Sequence, residues 1–263
     1  DAARVKATNS SSFLPSELRE GMVGAHHFFP VALTGIVEIV ADGGSDPKAV
    51  EEMRDFARTA ELCAIDETAS NAFAVNRLLL PLQNEAFRAL RRGIPAFEVD
   101  SASASSLCAL GQPSLLDAIG IDVVAASVER YCERMSRNAA DSLAELRAGL
   151  AELLAAGKLG KKSSDGLLVG APLPWRSCGE GAPFSALGPR MRAVFINTCA
   201  RFLEASALSS DALDLALERV YGAETTLLDA LEKEGGESVR RLLESAYADE
   251  RLDYLRPSAL LSH

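Results

Sequence analysis

Apolar residues come in short clusters near the start of the chain and in long helical stripes afterwards. Segments near 3–8, 21–28, 35–41 and 61–65 read as strands. Leu14–Glu20 allows only a turn or two of helix, closed by Gly21. Ser45-Asp46-Pro47 supplies a capping side chain and a first-turn proline, and Val50, Met53, Phe56 and Ala57 then follow at helical spacing to about Glu61. A long helix is predicted over 69–92, kinked at Pro81 and ended by Arg91-Arg92-Gly93. Another is predicted over 95–109. A third run, from about 121 to 156 with a break near Asn138, places Val123, Val124, Ser127, Val128 and Tyr131, then Leu143, Leu146, Leu150, Leu153 and Leu154, on an apolar stripe that reads as bundle core. Residues 170–189, with Pro172, Pro174, Pro183 and Pro189, read as a linker.

The chain then repeats itself. Asn84-Glu85-Ala86-Phe87-Arg88-Ala89-Leu90 is echoed by Asn197-Thr198-Cys199-Ala200-Arg201-Phe202-Leu203, and Leu115-Leu116-Asp117-Ala118 by Leu227-Leu228-Asp229-Ala230. Both offsets are close to 112 residues. A helical unit therefore occurs twice.

Composition narrows the classes. At 263 residues the chain can bury a substantial core, and 48% hydrophobic with 6% aromatic residues suits a helix-rich protein. A net charge of −10 argues against nucleic acid or an anionic membrane as partner. Local basic residues could still hold a phosphate. Cys63, Cys108, Cys132, Cys178 and Cys199 form no C-x-x-C pair and read as inert thiols, and three histidines without carboxylates at ligand spacing give no structural metal site. No apolar run reaches the ~18 residues a membrane helix needs.

The candidate chemistry lies in Gly24-Ala25-His26-His27-Phe28-Phe29-Pro30 and Gly35-Ile36-Val37-Glu38-Ile39-Val40. A histidine and a glutamate twelve positions apart stand on strands that a short connection can bring together. A carboxylate there would fix the imidazole tautomer, raise its pKa and make it a general base. His27 competes for that role, because adjacent strand residues face opposite sides and only one can face a site.

His26–Pro30 with Val37-Glu38-Ile39-Val40 resembles the HFFNP…VEV segment of the 3-hydroxyacyl-CoA dehydrogenases. Thr8-Asn9-Ser10-Ser11-Ser12 is similar to that family's S/T-N-T-S-S strand end. Phe73-Ala74-Val75-Asn76-Arg77 is similar to its GF-x-x-NR helix start. Gly111–Asp117 with Gly120-Ile121-Asp122 resembles GP-x-x-L-x-D-x-x-GLD, and Gly160–Gly166 resembles GKKTGxG. The resemblance implies oxidation of a (S)-3-hydroxyacyl-CoA, with NAD as hydride acceptor. It implies His26 as base, Glu38 as its partner, Asn76 polarising the 3-oxygen, Ser11 contacting substrate and nicotinamide, and Lys162 near the cofactor. Counting back from Glu38 and forward from Gly24 favours His26 over His27. The sequence departs from the family pattern at Phe29, which replaces an asparagine, at Ser164 and Leu167, and at Asn71-Ala72, which replace Pro-Gly.

The fold so implied is mainly α with a small α/β part. Residues 1–67 would be the remnant of a Rossmann-type nucleotide-binding domain. Two tandem C-terminal-type helical domains, 68–170 and 189–263, would follow, joined by a linker over 171–188. The glycine-rich G-x-G-x-x-G turn occurs nowhere in the sequence, so the expectation is a fragment, itself inactive, of a longer protein. Tandem helical copies and the closing Pro257-Ser258-Ala259-Leu260-Leu261 resemble the multifunctional β-oxidation enzymes, which implies a peroxisome-like organelle or the cytoplasm. A homodimer is expected through the helical domains or an uncovered sheet edge. Two other expectations stand beside this one. The first is a non-catalytic helical dimerisation or scaffold module derived from the family. The second is a related dehydrogenase acting on a short hydroxy acid.

Overall fold

A computed structural model describes residues 5–105, 107–175, 187–205 and 207–262. Four strands, β1 (Ala7–Thr8), β2 (Val23–His27), β3 (Ile36–Ala41) and β4 (Cys63–Thr68), form one sheet in the order β1-β2-β3-β4. The outer pairs are parallel and the central β2–β3 pair is antiparallel. Two short helices, α1 (Pro15–Leu18) and α2 (Val31–Thr34), connect the first three strands, and α3 (Pro47–Thr59) crosses from β3 to β4.

The period-two alternation of the strands divides the sheet into two faces. Val23, Ala25, Val37 and Ile39 pack against Ala49, Val50 and Ala57 of α3. Ile36, Val40 and Ile65 face the other way, into the large helical core. Gly24 lies opposite Val40, where an added Cβ would stand 2.8 Å from the valine Cβ. Its missing side chain lets β3 approach closely. Asp46 accepts from the Lys48 N–H at 2.9 Å and starts α3 beside Pro47, as the sequence predicts.

The helical part opens with α4 (Ala74–Arg77) and α5 (Leu80–Arg91). The single helix expected over 69–92 begins at Ala74, because residue 73 has φ +60°, and it is interrupted at Leu78-Leu79, one turn before Pro81. Then come α6 (Ala96–Ser103), α7 (Gln112–Ile119), α8 (Ile121–Glu133), α9 (Arg137–Asp141) and α10 (Ala144–Ala155). The helix expected over 95–109 ends at Ser103, where Ala104 turns extended and Ser105 bridges to Cys108. The 121–156 run is cut twice, since Ser136 caps α9 and breaks the first turn from the second.

A second set follows: α11 (Leu187–Glu204), α12 (Ser210–Tyr221), α13 (Leu227–Glu234) and α14 (Gly236–Glu250), closed by short 3-10 turns at Asp253–Leu255 and Ala259–Ser262. The echo read in the sequence has a structural counterpart. Asn84 in α5 and Asn197 in α11 are both wholly buried, and each accepts from a main-chain N–H, that of Leu146 at 2.9 Å and that of Ser258 at 2.8 Å. α5 packs on α11, and Glu85, Arg88, Arg190 and Glu250 form a charged cluster between the sets. The mainly helical fold with a small α/β part is as expected. Most of the expected linker, residues 176–186 with Cys178 and Pro183, lies outside the described residues. Among the described residues no helix is long and apolar enough to cross a membrane, and no cluster of His, Cys, Asp or Glu could hold a metal ion. Cys108, Cys132 and Cys199 are buried free thiols, and Cys63 is exposed.

Candidate active site

β2 and β3 set His26 directly opposite Glu38 in the antiparallel register. Both side chains fall on the face turned to the helical core. His26 Nδ1 lies 2.6 Å from Glu38 Oε2. The ring is nearly enclosed, with Phe28 edge-on at 4.6 Å and Phe73 at 5.9 Å between centroids. With Nδ1 engaged, Nε2 is the nitrogen left to exchange a proton. His27 faces the other way. Its N–H donates to Asn9 Oδ1 at 2.8 Å, and its Nδ1 is buried without a partner among the described residues.

Glu38 is fully buried, and its other oxygen accepts the Val75 N–H at 2.9 Å. A third acidic group completes this junction. Glu67, two residues past Ile65 on β4, accepts the N–H groups of Phe73 and Ala74. The start of α4 is therefore capped from the sheet, by two carboxyls on two strands, and not by a residue just before it. That explains why the helix begins at Ala74, and it fixes Asn76 relative to His26.

Burial dominates the electrostatics. It pushes Glu38 up to about 7 and, together with the Glu38 carboxyl, Glu67 up to about 10. It lowers His26 to about 4, against an upward pull from Glu67. The sequence expectation that the carboxylate raises the histidine is thus reversed, because taking a cation out of water costs more here than its buried neighbours return. A neutral imidazole at pH 7 remains able to accept a proton.

The other candidates divide. Asn76 Nδ2 reaches the Tyr131 hydroxyl at 3.5 Å, and that hydroxyl donates to the Ser11 carbonyl at 2.5 Å. Ser11 and Asn76 are thus joined through a tyrosine that the sequence offered only as core. The Ser11 turn is further held by Arg134, which donates to the Ser12 carbonyl at 2.8 Å, and by the Ser10 hydroxyl, which accepts the Phe13 N–H at 2.9 Å. Lys162 is not brought into this network: its ammonium pairs with exposed Asp122. Its motif has another use. Asp117 accepts the Leu167 and Leu168 N–H groups at 2.7 and 2.9 Å, and a Cβ on Gly160 or Gly166 would collide with Asp117. The glycines of the motif therefore wrap a buried carboxylate.

Sequence reasoning missed Glu67, Tyr131 and Arg77, whose guanidinium is mostly buried near both carboxyls. A signal for Glu67 was present. It falls in phase with Ile65 on a strand, where an outward charge would fall out of phase.

Two family profiles match the chain. The one described as "3-hydroxyacyl-CoA dehydrogenase, NAD binding domain" covers residues 2–67, and "3-hydroxyacyl-CoA dehydrogenase, C-terminal domain" covers 73–169. Pig mitochondrial hydroxyacyl-coenzyme A dehydrogenase is 31% identical over 61% of this chain and 52% of its own length. The fatty acid oxidation complex subunit alpha of Idiomarina loihiensis is 31% identical over 48% of this chain and 18% of its own. This chain spans about half the length of the first of these relatives and less of the second. In structure it is similar to 3-hydroxybutyryl-CoA dehydrogenase from Escherichia coli, with a TM-score of 0.74 over 98% of this chain and 74% of that one at 18% identity. That likeness extends the shared fold through the second helical set.

Proposed function

Since this chain belongs to the 3-hydroxyacyl-CoA dehydrogenase family, we propose that it carries the base and substrate-binding side chains for NAD-dependent oxidation of a (S)-3-hydroxyacyl-CoA to the 3-ketoacyl-CoA. The observation that carries this reading is the buried His26–Glu38 pair, 2.6 Å apart and facing the helix that bears Asn76.

In this reading His26 Nε2 takes the proton of the 3-hydroxyl as hydride leaves C3. Glu38, on the opposite ring nitrogen, holds the tautomer and stabilises the imidazolium formed. The Asn76 amide donates to the 3-oxygen, and its long contact to Tyr131 leaves that donor capacity available. The Ser11 hydroxyl, on a turn tied down through its backbone, adds a second donor. Proton transfer to a positioned base contributes roughly 10²–10⁴ in rate.

NAD, when bound, accepts the hydride. The residues present fit only part of it. The Ser10–Ser12 turn follows the carboxyl end of β1, beside β2 and His26, where a parallel sheet offers room for a ligand. No G-x-G-x-x-G is available for the pyrophosphate. We therefore assign the nicotinamide end, and not the pyrophosphate, to the residues of this chain. A β-oxidation setting within a multifunctional protein is supported by the name of the Idiomarina relative and by the paired helical sets. Ser11 and Asn76 are assigned to the substrate; Lys162, paired with Asp122, is left without a cofactor role.

The test is loss of NADH with acetoacetyl-CoA, in the longest form the gene encodes, for wild type and His26→Ala. Turnover should fall by roughly 10²–10⁴, measured at a temperature where the variant is folded by circular dichroism. A His26→Ala protein as active as wild type would remove the base assignment.

A further inference from the structure

Glu67 is a buried ionisable group that the oxidation above does not use. Its strand neighbour Ile65 is the register partner of Glu38 on parallel β3, so Glu67 faces the same side of the sheet, diagonal to Glu38. Three consecutive amides at the start of α4 are divided between the two carboxyls. Phe73 and Ala74 donate to Glu67, and Val75 donates to Glu38. The two carboxyls thus share one face of the sheet and one turn of backbone, and both are buried. Two negative charges held so near each other and out of water repel, which favours keeping a proton on one of the two.

The position of that proton follows from the partners. Each carboxyl accepts two N–H donors, Glu67 from Phe73 and Ala74 and Glu38 from His26 and Val75. Only Glu38 faces the imidazole that would become a cation, so the negative charge belongs on Glu38 and the proton on Glu67. The facing charges agree with a single negative charge. His26 comes from β2, Arg77 from α4, Arg134 and Tyr131 from α8, and Tyr221 from α12 donates to the Val75 carbonyl. Arg77 offsets one carboxylate in this closed space, and two would repel.

We propose that Glu67 is a positioning residue that stays protonated at neutral pH and donates its hydroxyl to Glu38. Glu38 is then the one carboxylate facing His26, and α4 with Asn76 is fastened to the sheet by the shared proton. The proposal deepens the dehydrogenase reading and rests on it for its functional meaning. Burial, which pushes the Glu67 carboxyl above Glu38, agrees with the assignment.

The test reads the proton without turnover. Glutamate carrying ¹³C at Cδ is incorporated into wild type and into the near-isosteric variants Glu67→Gln and Glu38→Gln. The protonated-carboxyl stretch is followed by infrared spectroscopy at about pH 8, where exposed glutamates are ionised. The band should be present in wild type, lost in Glu67→Gln and retained, shifted, in Glu38→Gln. The His26 Nδ1–H resonance should persist in Glu67→Gln. No band in wild type, or a band lost in Glu38→Gln and kept in Glu67→Gln, would overturn the proposal. No substrate or cofactor is present, so a negative turnover assay and a negative band remain separate results.

Discussion

The two helical sets share a frame and differ in what the frame touches. In each, a buried asparagine, on α5 or on α11, accepts a main-chain N–H from later in the chain, and a helix begins at a positive-φ glycine, Gly120 before α8 and Gly235 before α14. The same Leu-Leu-Asp-Ala tetrapeptide lies in both. Yet Asp117 is buried and clamps the loop at Leu167-Leu168, whereas Asp229 is exposed and bonds to Thr225 and Thr226 at the start of its own helix. The first set closes with α10 and is joined to the sheet through α4. The second closes with 3-10 turns and reaches the site at one remove, through the Tyr221 hydroxyl on the Val75 carbonyl. A sequence echo therefore brings no repeated chemistry, and the contact with β3 and β4 makes the first set a candidate site.

This difference can be broken or sharpened by substitution. Asp117→Ala strands the buried Leu167 N–H and the part-buried Leu168 N–H and should cost about 2–3 kcal/mol, while Asp229→Ala should stay within about 1 kcal/mol. Chemical denaturation of both variants measures the contrast, and equal losses would break it. The asparagines should behave alike. Asn84→Ala and Asn197→Ala each remove bonds to buried groups, Tyr254 and Leu146 in one case and the Tyr254, Arg256 and Ser258 backbone in the other. Each should lose about 2–4 kcal/mol by the same method. A much smaller loss in the second set would mean that it is not an equivalent frame.

pH should separate the sheet junction from both sets. Glu38 and Glu67 have folded-state values raised above the ordinary 4.5, to about 7 and about 10. The folded state then holds protons the unfolded chain has released. Their contribution is complete below about pH 4.5 and is lost as pH rises through those values, by up to about 1.4 kcal/mol per pH unit for each group. His26, lowered to about 4 from 6.5, acts oppositely, and stability gained through it is lost as pH falls from 6.5 to 4. Melting temperature against pH should therefore fall on the alkaline side in wild type and fall less in Glu67→Gln. An unchanged alkaline limb in that variant would contradict the assignment. The smallest effect belongs to Lys162→Ala, whose exposed pair with Asp122 should contribute under about 0.5 kcal/mol, read from its denaturation midpoint.

The strands were legible as short apolar clusters, and the register needed only the spacing between His26 and Glu38. The caps at Asp46 and Ser136 are local, and so is the Gly157 end of α10; local signals can be read from a sequence. The start of α4 is different. Nothing beside Ala74 caps it, and Glu38 and Glu67 do so from 37 and 7 residues away. Tyr131 fits an apolar stripe as core and is core, but its hydroxyl links Ser11 with Asn76 across 120 and 55 residues. Lys162 matched a motif whose glycines serve Asp117, and nothing in the spacing said that Asp122 would take the ammonium.

The most direct test is a double-mutant cycle on turnover, with His26→Ala, Glu38→Gln and both together, in the longest form the gene encodes. If the pair acts as one base, Glu38→Gln lowers kcat when His26 is present and changes it little once His26 is gone. Losses that simply add would mean that the two residues act independently, and the account of the site would fail.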